Sequence, residues 1–382
     1  MKILQVCNYF SPEHGGTAVS PFRLSLELAK KGHDITIFTS DYKISKDWLE
    51  KASKSNIKVH AFKTWINITG FQVTPSLFFT GKIIKSFQII HMHNYRTLQN
   101  IIVYHYAKKY HIPYIVQARG SLTTFFQKGL LKRIFDIIWG NRILRDAVKL
   151  IALTKDEAKQ YVQMGTKEEK VTILPNGINV SEFENLPEKG VFRKQWQIHV
   201  NEKVILFLAR INKIKGLDIL LKAFYQLVKN NPEVKLVIAG PDDGYLSRVQ
   251  SLIQSLGIQN LVILTGPVYG NDKLSAYVDA DVYVLPSYYE IFGNTVIEAL
   301  ACGTPVIVTD RCGTAESINE ENAGLVVTHD SQQLGSALAS ILAKNEREKC
   351  SMGKKGIALV KNKYNWRNIV NELEMIYERS IF

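Results

Sequence analysis

Cysteine is scarce in this chain. Cys7, Cys302, Cys312 and Cys350 are the only four in 382 residues, and no two form a C-x-x-C pair. That spacing argues against a disulfide framework or a cysteine-ligated zinc site and reads as buried or incidental thiols in a reducing cytoplasm. Long apolar runs are missing too. No stretch reaches the roughly 18 uninterrupted apolar residues of a spanning helix. The opening Met1-Lys2-Ile3-Leu4-Gln5-Val6 reads as a first strand, not as a signal peptide. There is no G-x-G-x-x-G fingerprint, which argues against a nicotinamide enzyme. No RNP, helix-turn-helix or zinc-finger signature is present, and there is no internal repeat or low-complexity tract.

Acidic residues are nearly absent from one long region. Residues 51–150 hold two, Asp136 and Asp146, against sixteen Lys and Arg, an excess greater than the +13 of the whole chain. The remainder is close to neutral. Such a localised field attracts a polyanion: anionic lipid, a diphosphate-bearing acceptor or nucleic acid.

The length exceeds one ordinary core, so two domains are expected. The first forty residues read as strand (Ile3 to Val6), Gly-rich loop (Pro12 to Gly16), helix with an apolar face at Val19, Phe22, Leu26 and Ala29, and strand (Ile35 to Phe38). Strand-like runs follow at Ile89–His93, Tyr114–Val116, Lys149–Leu153 and Val171–Leu174. Pro175-Asn176-Gly177 is a turn signal, and the polar stretch Ser181 to Gly190 reads as a linker. A second strand–helix series runs through Val204–Ala209, Val234–Ala239, Leu261–Leu264, Val282–Leu285 and Pro305–Val308. Helical patterns follow near Ser331–Ala343 and around Trp366, Ile369, Leu373 and Ile376. Alternating strands and helices predict doubly wound parallel sheets, with ligands beyond the carboxyl ends of the strands.

The candidate chemistry falls at those ends. Glu290 and Glu298 bracket Glu290-Ile291-Phe292-Gly293-Asn294-Thr295-Val296-Ile297-Glu298, where a strand turns into a helix. A Gly there admits close backbone approach, and the free N–H groups of a helix start favour phosphate. Two carboxylates beside a phosphate site suit sugar hydroxyls. For either Glu alone, helix capping is the better explanation. The string resembles the E-x7-E signature of retaining nucleotide-sugar glycosyltransferases of the GT-B fold. It points in particular to family 4 (glycosyl transferases group 1) of the bacterial polysaccharide and lipid-linked glycan type.

That resemblance implies an α/β, GT-B fold with two Rossmann-like doubly wound parallel-sheet domains facing across a cleft. Residues 1–182 would form the acceptor-binding domain and residues 190–362 the nucleotide-sugar-binding domain, with a helix over 365–382 packing back on the first. It implies that Glu298 binds ribose hydroxyls and Glu290 the transferred sugar. Main chain at Gly240, Phe292, Gly293, Asn294 and Thr295 would serve the donor. It also implies no metal and no cofactor beyond a UDP- or GDP-sugar substrate.

Arg210 and Lys215 could stabilise a departing diphosphate, the role the resemblance implies for them, or be solvated surface cations. Gly15 and Gly16 could present N–H groups to phosphate or form a flexible turn. His93 resembles the family's strand-end His facing the donor sugar. His91 lies on the same side of the strand, and either could be a core histidine. Asp242 and Asp243 read as an acidic turn in preference to a metal site. Residues 117–145 mix Arg119, Lys128, Lys132, Arg133, Arg142 and Arg145 with aliphatic and aromatic residues, a composition that suits either an amphipathic membrane-surface helix or a core helix with a basic edge.

The leading expectation is a retaining, metal-independent glycosyltransferase at the cytoplasmic face of the membrane. It would move a hexose or N-acetylhexosamine to a polyprenyl-diphosphate-linked glycan and touch anionic lipid, but no nucleic acid. The alternatives are a transferase with a soluble acceptor, a basic nucleic-acid-binding protein, and an inactive fold relative acting as a partner subunit.

Overall fold

A computed structural model describes residues 1–68, 70–122, 129–229 and 233–381. The chain forms two compact units, Met1–Gly177 with Trp366–Phe382, and Ile178–Asn365. The polar stretch expected as a linker, residues 181–190, lies inside the second unit. There Val180–Phe183 forms a helical turn, and Asp279 accepts from Gly190 N–H at 2.5 Å.

In the first unit the strands are β1 Lys2–Val6, β2 Asp34–Ser40, β3 Lys58–Phe62, β4 Ile66–Ile68, β5 Phe71–Val73, β6 Ile89–His93, β7 Tyr114–Gln117, β8 Lys149–Ala152 and β9 Val171–Ile173. Among the described residues, seven of them form a parallel sheet in the order β3-β2-β1-β6-β7-β8-β9, and β4 and β5 form an antiparallel ribbon. The sheet is buried on both faces, so its strands are near-continuous apolar runs. One face packs on Leu77, Ile84, Ile102, Val103, Ile143 and Leu144. The other packs on Phe22, Leu28, Trp48 and the final helix, Trp366–Ile381. That helix buries Trp366, Ile369, Val370, Leu373 and Tyr377, a stripe at helical spacing that holds it to the first unit.

In the second unit the strands are β10 Lys203–Leu208, β11 Val234–Ala239, β12 Val262–Gly266, β13 Val282–Leu285, β14 Val306–Thr309 and β15 Gly324–Val327. They form a parallel sheet in the order β12-β11-β10-β13-β14-β15. Each unit is therefore an α/β, Rossmann-like doubly wound sheet, wound outward from its first strand in both directions. The helices between strands are stopped and started by local chemistry. Thr97 Oγ1 accepts from Asn100 N–H, Asp330 caps two N–H groups, and Asn345 with Glu348 makes a capping box.

Candidate active site

The second sheet reverses direction between β10 and β13, and a crevice opens beyond the carboxyl ends of strands at such a point. Arg210 lies just past β10, Gly240 just past β11, and Glu290 in the loop after β13. Packing requires glycine at 240: with φ at 147°, a Cβ would sit 1.9 Å from the Ala209 carbonyl oxygen.

Lys215 and Glu290 form an ion pair with both side chains mostly buried. Glu290 is also fixed by its main chain. Its N–H donates to Arg311 O at 3.1 Å, and its carbonyl accepts from Gly313 N–H at 2.8 Å. Gly293 follows as the N-cap of the helix Asn294–Ala301, with φ at 82°, a conformation that favours glycine. The N–H groups of Asn294 and Thr295 fall in that helix's first turn, where no carbonyl of the helix can receive them. Tyr283 Oη bonds Thr295 Oγ1 at 2.7 Å and donates to Leu208 O at 3.2 Å, so the Thr295 hydroxyl points toward the sheet.

Glu298 stands further along this helix. Lys273 Nζ donates to its Oε1 at 2.9 Å and Tyr277 Oη to its Oε2 at 3.0 Å. Lys273 and Tyr277 lie one turn apart on the helix Gly270–Asp279. Burial first, and the Glu298 charge second, push the Tyr277 phenol well above its ordinary range, so it remains a hydrogen-bond donor.

Three other residues of the site are placed as follows. Arg210 is not held beside Lys215 by any direct bond; its NH1 pairs with Asp243 Oδ2 at 2.6 Å on a half-exposed surface. Phe292 offers a ligand only its main chain, because its ring is buried against Tyr364 with centroids 5.5 Å apart. Asp242 closes a turn, accepting from the N–H groups of Gly244, Tyr245 and Leu246. Among the described residues no three His, Cys, Asp or Glu cluster as metal ligands.

In the first unit Gly15 precedes and Gly16 opens the helix Gly16–Lys30, beyond β1. His93 ends β6 but is buried, with both ring nitrogens engaged. Arg119 Nε donates to its Nδ1 at 3.1 Å, and a guanidinium can only donate. His93 is therefore protonated at Nε2, which donates to Gln5 Oε1 at 2.6 Å. Gln5 Nε2 donates to Tyr377 Oη at 3.2 Å, and Tyr377 Oη is hydrogen-bonded to His91 Nδ1 at 2.7 Å. One cation thus sets the proton of His93 and, through it, the orientation of the Gln5 amide. Burial first, with Arg119, holds both histidines well below the usual pKa range, and His91 also lowers His93. His93 is here a link in a core network and presents no free ring nitrogen. Arg119, expected on a basic acceptor-facing edge, is inside: it also donates to Asn176 Oδ1 at 2.6 Å and Gln117 Oε1 at 2.8 Å. Burial lowers its pKa to about 10.

The family model described as "Glycosyltransferase Family 4" matches residues 14–182, and "Glycosyl transferases group 1" matches residues 188–358. This chain is a group 1, family 4 glycosyltransferase. An uncharacterized glycosyltransferase of Methanocaldococcus jannaschii is 28 % identical, with 99 % of this chain and 98 % of that protein covered. An alpha-monoglucosyldiacylglycerol synthase of Streptococcus pneumoniae is 27 % identical, with 93 % and 81 % covered. Among solved structures, Anabaena HepE in complex with UDP and glucose superposes with a TM-score of 0.83 at 18 % identity, covering 99 % of this chain and 100 % of that one. That likeness is one of fold, the GT-B architecture of two Rossmann-like domains.

The basic segment of this glycosyltransferase is a helix Gly129–Phe135, a wider turn Asp136–Gly140 and a helix Asn141–Asp146. Lys132 and Arg133 lie on the first of these; Lys128 lies outside the described residues. Leu130, Leu131, Ile137, Ile138 and Trp139 are exposed, so this segment is not simply a core helix with a charged edge. Sequence reasoning missed Lys273 and Tyr277. They carry no motif, and only the packing of their helix beside Glu298 brings them to the site.

Proposed function

We propose that the glycosyltransferase moves a hexose or N-acetylhexosamine from a UDP- or GDP-sugar to a hydroxyl of a glycan acceptor, with retention at the anomeric carbon and without a metal. The observation that carries this reading is the preset pair of glutamates. Glu298 is oriented by Lys273 and Tyr277, Glu290 by Lys215, and a helix start lies between them. Glu298 would take the ribose hydroxyls and Glu290 the hydroxyls of the transferred sugar. The first-turn N–H groups and Lys215 would meet the diphosphate, and Arg210 would join them on leaving Asp243. In the reaction the C1–O bond to the diphosphate breaks, and the acceptor oxygen bonds to C1 on the same face. The acceptor's proton passes to the leaving phosphate oxygen.

For the acceptor, the reading is a polyprenyl-diphosphate-linked glycan at the inner face of the cell membrane. Support comes from the exposed apolar and basic segment Gly129–Asp146 and from the name of the Streptococcus pneumoniae relative, a glycolipid synthase. The test is a screen of nucleotide sugars for slow hydrolysis with chelator present, followed by transfer to a lipid-extractable acceptor. Absence of hydrolysis for every UDP- and GDP-sugar would overturn the donor assignment. Transfer only to water-soluble acceptors would overturn the membrane assignment.

A further inference from the structure

A second apolar patch lies on the same face of the first unit as the segment Gly129–Asp146. The short helical segments Pro75–Phe79 and Gly81–Ile84 expose Phe78, Phe79 and Ile83, with Phe79 at 87 %. Their inner residues, Leu77 and Ile84, share one core with Ile102 and Val103 of the helix Leu98–Tyr110 and with Ile143 and Leu144. All three segments therefore cover one side of the sheet. The helix Leu98–Tyr110 lies between the patches and bonds to both sides. Tyr106 Oη donates to Phe78 O on one side, and Tyr104 Oη donates to Asp146 Oδ2 at 2.9 Å on the other.

The free charge that residues 51–150 contribute to this face is positive. Lys82, Lys85, Lys109, Arg133 and Arg142 are exposed on it. Both acids of residues 51–150 are neutralised within the fold: Asp136 by Arg96 at 2.7 Å, and Asp146 by Arg145 and Lys108 at 3.0 and 3.2 Å. Two aromatic and aliphatic patches set apart by a basic helix, with no free acid between them among the described residues, complement an anionic bilayer surface. A second protein copy would have to bring the same positive charge against it.

We propose that this face rests on an anionic lipid bilayer at two points, with Phe78, Phe79 and Ile83 forming a second anchor across the helix Leu98–Tyr110 from Leu130 and Leu131. This deepens the membrane reading above and rests on it. Two separated anchors fix the tilt of the unit on the surface, which a single amphipathic segment leaves free.

The test uses the full chain and co-sedimentation with vesicles of phosphatidylcholine, with and without phosphatidylglycerol. Phe78→Ser/Phe79→Ser and Leu130→Ser/Leu131→Ser change only exposed side chains, and an unchanged melting temperature verifies folding. Each double variant is expected to weaken binding to anionic vesicles about tenfold, and the wild type to bind neutral vesicles far less. Loss in the Leu130/Leu131 variant alone overturns the second anchor and leaves the membrane reading standing. Wild-type binding by both variants removes both. A drop in oligomeric mass for Phe78→Ser/Phe79→Ser, with no vesicle binding by the wild type, assigns the face to a second copy and overturns the proposal.

Discussion

Arg119 donates from Nε to Nδ1 of His93 at 3.1 Å, deep within the first unit. The cation fixes the tautomer of His93 and, through Gln5 and Tyr377, ties β7 and its following turn to β6, β1 and the final helix. Replacing it leaves His93, Gln117 and Asn176 without their donor. Arg119→Met is expected to lose on the order of 3 kcal/mol of stability, seen as a lower melting temperature with or without nucleotide. A melting temperature within error of wild type would show that the network is dispensable.

Two carboxylate oxygens of Glu298 are held by two different donors, so the two contributions are separable. Glu298→Ala should weaken UDP or GDP binding by about 1.5–3 kcal/mol in calorimetry. Tyr277→Phe keeps the carboxylate but frees one oxygen. It should cost about 1 kcal/mol and raise the donor KM with little change in kcat. Equal affinities for wild type and Glu298→Ala would remove Glu298 from the ribose role.

Lys215 pairs with Glu290 and Arg210 with Asp243, so in the proposed reaction Arg210 would exchange Asp243 for the diphosphate. Charge stabilisation that grows as the bond breaks appears in kcat. Lys215→Met and Arg210→Ala are each expected to lower kcat about a hundredfold or more, with a smaller effect on donor KM. Wild-type turnover by either would exclude that residue from stabilising the leaving group.

The buried histidines give the fold a pH dependence with a defined sign. Their folded pKa values lie well below the ordinary 6.5. The unfolded chain therefore binds protons that the folded chain refuses, once pH falls past that value. Their contribution is complete above about pH 7 and is lost progressively below about 6.5. The melting temperature should be level above neutrality and decline on acidification, and the decline should be shallower in His91→Gln. A flat profile from pH 7 down to about 5 would contradict this.

Much of the architecture was legible because doubly wound sheets bury whole strands. Val204–Ala209 and Val282–Leu285 read as unbroken apolar runs, and the turns after them carry the residues a crevice needs. The pattern at Trp366, Ile369 and Leu373 was likewise readable as one buried helix face. Arg119 and His93 were not legible, since a cation in a basic segment and a His at a strand end look the same whether they meet solvent or each other. Lys273 and Tyr277 were invisible for a related reason: helical spacing says which side chains share a face, not what that face meets.

By itself the chain's order of residues determined the winding of each sheet and the place of the two glutamates at a strand-to-helix turn. Local periodicity and glycine at a left-handed turn suffice for both. Only the tertiary structure decided the partners: Lys215 with Glu290, Arg210 with Asp243, Lys273 and Tyr277 with Glu298, Arg119 with His93. Hydrogen bonds and ion pairs act over about 3 Å, and residues far apart in sequence come within that distance only when the sheets and their helices pack.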